Sequence, residues 1–175
     1  MKKCKHNKID INDLKMVPFQ DNIFLNNLLS YFLYKAPSIS SIFSEEIDFN
    51  DDKFFREYIN INRFSKIIFM KKYNKNTYID NNIYGNYICM KCFKIICTRV
   101  IDNTDNKLES YLECVLRHIR NSIAHGCVYY LYENKRHYIM FEDFNIKKNL
   151  TARIIISRQA LIDLKSKLIK YQGDQ

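Results

Sequence analysis

Residues 106–126, which read NKLESYLECVLRHIRNSIAHG, decide the fold. Apolar side chains recur in this stretch at three- and four-residue spacing, which predicts an amphipathic helix. Asn106 with Glu109 three residues later predicts a capping box at its start, and Gly126 predicts its end. The predicted core stripe consists of Leu108, Leu112, Val115, Leu116, Ile119 and Ile123.

The opposite face of this helix has an unusual composition for so lysine-rich a chain. At 100° per residue it carries Arg117, Arg120, Asn121 and His125, flanked by Cys114 and His118. It contains no lysine, although 20 of the 28 basic residues of the chain are lysines. This mixture suits phosphate recognition and proton transfer better than solubility. The alternative is that His125 and Arg120 only make helix-end and carboxylate interactions.

The motif Arg120-Asn-Ser-Ile-Ala-His125, followed by Gly126, resembles the Arg-x4-6-His motif of the HEPN superfamily (higher eukaryotes and prokaryotes nucleotide-binding domains). An aromatic hairpin, then Phe141-Glu-Asp143, Thr-Ala-Arg-Ile and a last helix follow the motif, as in a subset of such proteins. The resemblance is sharp over residues 106–165 and architectural before them.

The resemblance implies a mainly α fold: an antiparallel helical bundle with a β-hairpin and a short third strand after the motif helix, then a C-terminal helix. It also implies a metal-independent endoribonuclease that uses no cofactor, in toxin–antitoxin or anti-phage defence. His125 would be the general acid/base, Arg120 the phosphate clamp and Asn121 the orienting residue. Our own additions are Arg117 and His118 as RNA contacts. The alternatives are a non-catalytic RNA- or nucleotide-binding HEPN dimer and a helical interaction module.

The expected partners are RNA, a second copy of the chain and an antitoxin or regulatory protein. On an ideal helix Arg120 and His125 lie about 140° apart, so one helix would not aim both at one phosphate. A two-fold dimer would bring a second patch into the same cleft. We therefore expect residues 114–125 of both chains to line a shared positive cleft, with small Ala124 allowing close approach. Cys127 stands where toxins paired with nucleotidyltransferase antitoxins often have tyrosine.

The chain of 175 residues is expected to form one domain, 1–175, with residues 1–20 as a basic, irregular arm. Helices are predicted after Pro18 with Asp21 or Asn22 as cap, from Asn50 or Asp51 to Lys71 and Lys72, and from Tyr84 to Ile101. After Gly126, strands are predicted at Cys127–Tyr132, His137–Phe141 and Thr151–Ile156, and Ser157 is predicted to cap a last helix.

Composition limits the function classes. Three glycines and two prolines cannot build a dinucleotide fingerprint or a phosphate-binding loop, and they argue against an all-β fold. The net charge of +9 suits nucleic acid, but an AT-rich genome would produce the same lysine excess. Because no apolar run reaches the ~20 residues of a membrane span and no secretory signal is evident, we expect a cytoplasmic protein with reduced thiols and no membrane contact.

Three weaker candidates remain beside the motif. Cys89 and Cys92 are read as buried structural thiols rather than a metal or redox site. Glu142-Asp143 is interpreted as a solvated or hairpin-terminal acidic pair rather than a metal site. The hairpin tyrosines are read as core covering rather than base-stacking platforms; they are Tyr129, Tyr130, Tyr132 and Tyr138.

Overall fold

Three helices and a six-stranded sheet make up most of the part of the chain that the structure describes. It is a computed structural model that describes residues 9–16, 22–36, 67–72, 87–88, 95–99, 109–133 and 135–173. The helices are α1 (Ile23–Tyr34), α2 (Tyr111–Ala124) and α3 (Arg158–Gly173). The strands are β1 (Ile9–Asp10), β2 (Lys15–Met16), β3 (Ile67–Lys72), β4 (Tyr87–Ile88), β5 (Ile95–Arg99), β6 (Val128–Glu133), β7 (Arg136–Phe144) and β8 (Leu150–Ser157).

The sheet has the strand order β2-β6-β7-β8-β5-β3. Strands β6, β7 and β8 form an antiparallel meander, as the aromatic and β-branched runs after Gly126 predict. Strand β5 continues the sheet antiparallel to β8, and β3 pairs parallel with β5 at the edge. The predicted hairpin and third strand are therefore confirmed, and they form the centre of a larger sheet.

The predicted mainly α helical bundle is wrong, because the domain is α+β. The helix predicted over Tyr84–Ile101 contains strands β4 and β5 instead. The helix predicted to end at Lys71 and Lys72 ends in strand β3; the earlier part of that prediction lies outside the described residues. The physical reason is visible in β5, where Cys97 and Thr98 face opposite sides of the sheet and are both buried. A strand buried on both faces loses its alternation and resembles a helix segment in sequence.

Helix α2 lies between the sheet and α1, packing on β7 and β5 on one side and on α1 on the other. The main core therefore joins all three helices to one face of the sheet. The predicted stripe of α2 is confirmed from Leu112 onward, and Leu108 lies outside the described residues. Its buried members are Leu112, Val115, Leu116, Ile119 and Ile123.

The other face of the sheet carries a smaller apolar cluster. Leu131, Met140 and Ile155 form it, with Tyr129 and Tyr138 packed against them. Tyr130 lies on the helix-covered face of the sheet and packs against the main core. Three of the four hairpin tyrosines therefore cover apolar cores, and Tyr132 is mainly exposed.

The helix caps show which local signals the chain uses. Asn22 caps α1 through its side chain, and the Ser157 hydroxyl accepts from the Ala160 N–H at the start of α3, as predicted. The cap of α2 differs from its prediction. Ser110 is the N-cap and forms a capping box with Glu113, four residues after the predicted Asn106, which lies outside the described residues.

Part of the predicted irregular arm is ordered into short elements. Within residues 9–16, β1 pairs with β4 and β2 pairs with β6, with a 3-10 turn at Ile11–Asp13 between them. This segment thus extends the main sheet at its β6 edge. None of the helices in the described part of the chain is long and apolar enough to cross a membrane.

Candidate active site

His125 stands at the C-terminal end of α2, where a glycine reverses the chain. It is the C-cap residue, and Gly126 after it has φ +69°, the left-handed conformation that glycine adopts without strain. The Cys127 N–H donates to the Ser122 carbonyl at 2.8 Å, and the Gly126 N–H donates to the Ile123 carbonyl at 3.1 Å. These two bonds define a Schellman motif. They fix the backbone at the end of α2, where the His125 side chain is exposed.

Asn121, the second residue of the motif, is oriented by a carboxylate of the sheet. Its Nδ2 donates to Oδ2 of Asp143, at 3.1 Å. The Asn121 carbonyl accepts from the His125 N–H at 2.9 Å, so the two residues are also joined through the helix backbone. The carboxamide of Asn121 is therefore fixed relative to the residue that the motif designates as the acid/base.

The same Asp143 oxygen accepts a second hydrogen bond from a buried histidine. His118 Nδ1 lies 2.7 Å from Asp143 Oδ2, and His118 Nε2 lies 2.9 Å from the Thr98 carbonyl oxygen. Because both partners are acceptors, a ring with protons on both nitrogens satisfies both of these contacts. Burial alone lowers the pKa of His118, but the hydrogen bond to Asp143 and the interactions with Cys114 outweigh it and raise the pKa to about 9. His118 is thus an imidazolium at neutral pH.

The partner carboxylate responds in the opposite direction. Burial by itself raises the pKa of Asp143, but the hydrogen bond and charge of His118, with smaller contributions from Asn121 and Arg117, bring it below its ordinary value. Asp143 is therefore ionised at neutral pH and forms a buried ion pair with His118.

A second ion pair anchors the preceding turn of α2. The Arg117 guanidinium grips the Glu109 carboxylate with two bonds, of 2.6 and 2.8 Å, and its Nη2 also donates to the Thr98 carbonyl at 3.1 Å. The Cys114 thiol, whose pKa is raised by burial, donates to the same carbonyl at 3.4 Å. The Thr98 carbonyl of β5 thus accepts from three side chains on one face of α2, those of Cys114, Arg117 and His118. The two positive and two negative charges of this network balance within the fold.

This network corrects the predicted open face of α2. Cys114 and His118 are almost completely buried against β5 and β7, so neither lines a cleft open to RNA or to a second chain. Arg117 keeps a quarter of its side chain exposed, but its guanidinium is paired with Glu109. The open part of the face is the last turn of α2, with Arg120 and Asn121 partly exposed and Ala124 and His125 exposed.

Asp143 is the residue that sequence reasoning missed. The prediction for Glu142 and Asp143 is a solvated or hairpin-terminal pair. They do lie near the end of β7, but both are buried, and they face opposite sides of the sheet. Glu142 binds Arg153 across the strands at 2.7 Å, while Asp143 points to α2. The available signal was alternation, because Asp143 follows Ile139 and Phe141 on the core-facing side of β7. An acidic residue at a core position indicates a buried partner.

A surface groove of about 560 Å³ begins at His125. The turn between β7 and β8 forms its other wall, through Phe144, Asn145, Ile146 and Lys148, and Cys127 completes it. The volume falls within the roughly 300–1,000 Å³ of ligand sites.

No metal-binding cluster of three or more His, Cys, Asp or Glu side chains occurs among the residues that the structure describes. Cys97 and Cys114 are free, buried thiols, and Cys127 is free and partly exposed. Cys89 and Cys92 lie outside the described residues, so their predicted role as structural thiols stays a prediction.

Comparison with protein families places the chain in the HEPN class of domains. The matching family is HEPN pEK499 p136, whose model covers residues 1–174, and the chain belongs to this family. The resemblance seen over residues 106–165 is thereby confirmed over nearly the whole chain. No curated protein and no solved structure matches the chain.

Proposed function

We propose that this protein is a metal-independent endoribonuclease whose site is the exposed last turn of α2. Membership of a HEPN family supports an RNA-related or nuclease function. The observation that carries the proposal is the state of the motif: His125 is exposed at a rigid helix end, and Asn121 is fixed by the buried carboxylate of Asp143. A side chain held this way is pre-organised for a reaction rather than for solubility.

The reaction proceeds by attack of the RNA's own 2′-hydroxyl on the adjacent phosphorus. His125 takes the proton of that hydroxyl or gives one to the departing 5′-oxygen. Arg120 holds the phosphate oxygens through its planar guanidinium as negative charge develops on them. Asn121 orients the histidine or a phosphate oxygen. The P–O5′ bond breaks as the P–O2′ bond forms, which leaves a 2′,3′-cyclic phosphate and a 5′-hydroxyl.

The reaction needs a base and an acid at one phosphate, and one His125 cannot be both at once. Two copies of the chain supply one of each when their α2 termini meet, so the proposal includes a homodimer with RNA as substrate. An antitoxin or other regulatory partner, in toxin–antitoxin or anti-phage defence, would restrain this activity in the cell.

The decisive experiment incubates the purified protein with mixed RNA in EDTA. We expect cleavage to 2′,3′-cyclic phosphate ends, with single-stranded DNA spared because it lacks the nucleophile. RNA retention without cleavage would instead indicate a non-catalytic RNA-binding HEPN protein. If the protein neither binds nor cleaves RNA, it is an interaction module.

Substitutions locate the chemistry. His125→Ala and Arg120→Ala should each reduce cleavage by a factor of at least about 100, the size of a general acid/base or charge-stabilising contribution. The melting temperature should stay nearly unchanged, because neither residue belongs to the core. The matched controls are His137→Ala and Arg158→Ala, in the hairpin and in α3, which should cleave normally. Cleavage by His125→Ala at the wild-type rate would contradict the proposed mechanism.

A further inference from the structure

The groove beside His125 has a rigid wall, the turn that joins β7 to β8. The Asn145 N–H donates to the Asn149 carbonyl at 3.0 Å, and the Lys148 N–H donates to the Asn145 carbonyl at 2.8 Å. The Asn145 side chain closes the loop by accepting from the Asn149 N–H at 3.0 Å. Lys148 sits at φ 60°, a conformation that such a tight turn requires. The turn therefore presents its side chains without a large ordering cost.

Those side chains combine apolar surface with positive charge. Ile146 is fully exposed at the tip of the turn, and Phe144 is more than one-third exposed at its base. Lys147 and Lys148 follow Ile146 directly and are exposed. The six described residues that line the groove include no carboxylate. An aromatic face next to lysines is the arrangement that binds single-stranded nucleic acid, through base stacking and phosphate contacts.

We infer that this groove is a nucleobase-binding subsite that holds one unpaired base of single-stranded RNA beside the phosphate at His125. The inference rests on the proposed function and extends it to the form of the substrate. The base lies against Phe144 and Ile146, and Lys148 contacts the neighbouring phosphate. A base inside a duplex has no free face to offer to Phe144, so the subsite selects unpaired RNA. The volume of about 560 Å³ accommodates a base with its ribose.

The test measures binding separately from cleavage. The probe is a fluorescein-labelled 2′-O-methyl RNA 12-mer, which lacks the attacking hydroxyl, and its fluorescence anisotropy is measured with the wild-type protein over a range of salt concentrations. The same strand annealed to its complement is the duplex control. We expect the single strand to bind at least 5-fold more tightly than the duplex.

Two substitutions test the apolar wall. Phe144→Leu and Ile146→Ser should each raise the Kd for the single strand about 5-fold or more and reduce its advantage over the duplex, because stacking surface is lost. The control is Ile169→Ser, which changes a comparably apolar, half-exposed side chain on α3 and should leave the Kd unchanged.

A third substitution tests the phosphate contact. Lys148→Asn keeps a residue that tolerates φ 60° but removes the charge. It should weaken binding equally for all sequences and reduce the slope of log Kd against log salt by about one. Lys135 lies at the other end of β7 with φ 62°, so Lys135→Asn is the matched control and should keep the wild-type slope.

The outcomes separate this inference from the proposed chemistry. Binding that depends on the groove, with unmodified RNA left intact, would support the subsite and contradict the nuclease. Cleavage of RNA with a KM unchanged in Phe144→Leu and Ile146→Ser would support the nuclease and overturn the subsite. Equal affinity for single strand and duplex, or no affinity for the probe, would also overturn the subsite.

Discussion

A single oxygen of Asp143 links the buried part of the site to its exposed part. Oδ2 accepts from His118 Nδ1 on one side and from Asn121 Nδ2 on the other. In the proposed mechanism Asp143 is therefore a positioning residue: it is held in the buried network by His118, and it holds Asn121. Arg117 Nη2 and His118 Nε2 lie 3.2 Å apart, and both nitrogens are within hydrogen-bond distance of the Thr98 carbonyl oxygen.

The first residue-scale prediction concerns the charge of His118. Nitrogen-15 NMR should show both ring nitrogens protonated at pH 7, with a pKa near 9. Asp143→Asn should lower that pKa, since it removes the negative charge while keeping an oxygen acceptor. A His118 ring that titrates near 6.5 in the wild-type protein would contradict the ion pair.

The same charge predicts how stability varies with pH. The pKa of His118 is raised on folding from 6.5 to about 9, so its contribution is fully present below pH 6.5 and is lost as pH rises through 9. At ~1.4 kcal/mol per pKa unit the contribution is of the order of 3 kcal/mol. Urea unfolding should show the free-energy difference between wild-type and His118→Gln protein shrinking by about this amount between pH 6 and pH 10.

A third residue-scale prediction separates a positioning role of Asp143 from a purely stabilising one. Asp143→Asn retains an acceptor for Asn121 and should keep most of kcat, whereas Asp143→Ala leaves Asn121 unheld and should lower kcat at least 10-fold. Both variants should have nearly wild-type KM, because Asp143 is buried and does not reach the RNA. Equal loss of kcat in the two variants at a temperature where both are folded would refute the positioning role.

The Arg-x4-His motif could be predicted from the sequence, but the buried residues that hold it, Asp143 and His118, could not. Arg120, Asn121 and His125 lie within six residues, so their spacing is visible along the chain. Asp143 is 25 residues from His118, and its role depends on strand β7 lying against α2. The prediction that His118 binds RNA assumes that α2 has only one buried face. In the structure the sheet and α1 bury α2 on two sides.

At the scale of elements, the end of α2 rests on one glycine. Nothing lies within 4 Å of a Cβ built on Gly126, so Gly126→Ala meets no clash, but its φ of +69° strains any L side chain. We expect Gly126→Ala to destabilise the fold by about 1–2 kcal/mol and Gly126→Asn by less, because asparagine tolerates this conformation. Thermal melting followed by circular dichroism would measure the order of the three proteins, and a Gly126→Ala midpoint equal to wild type would exclude the strain.

Helices and strands that depend on local signals were predicted correctly, whereas those that depend on contacts distant in sequence were not. The hairpin, β8 and α3 were predictable because Gly126, the aromatic and β-branched runs and the Ser157 cap are local signals. Strands β3 and β5 were not, because β3 pairs parallel with β5 across more than 20 intervening residues and β5 is buried on both faces. Because the prediction assigned these two strands to helices, the predicted fold was a helical bundle instead of an α+β domain.

At the scale of the molecule, the net positive charge comes from residues outside the described ion pairs. Glu109–Arg117 and Glu142–Arg153 cancel internally, so they contribute nothing to the net charge of +9. That excess would attract a polyanion such as the proposed RNA substrate over distances of about a Debye length, and such binding would be sensitive to salt. Lys147 and Lys148 bring part of it to the groove beside His125.

The last prediction concerns assembly through the exposed turn of α2. Ala124 is small and exposed between Asn121 and His125, so a two-fold contact there brings both His125 side chains to one phosphate. We expect sedimentation to show a homodimer. We also expect Ala124→Arg to be a folded, inactive monomer, because it adds bulk and charge where the two helices meet.

A dilution experiment tests whether the two chains share one site. When wild-type chains make up a fraction f of the dimerising pool and the rest are His125→Ala, random pairing leaves about f of them in intact dimers, so at f = 0.1 the activity per wild-type chain should fall to about one-tenth. Sites that work independently would keep their full activity at every f. The control is the double variant Ala124→Arg/His125→Ala. Because this chain cannot dimerise, it should not form inactive dimers with wild-type chains and should not lower their activity. Undiminished activity in an excess of His125→Ala would mean that one protomer supplies both the acid and the base, and the shared-site mechanism would be wrong.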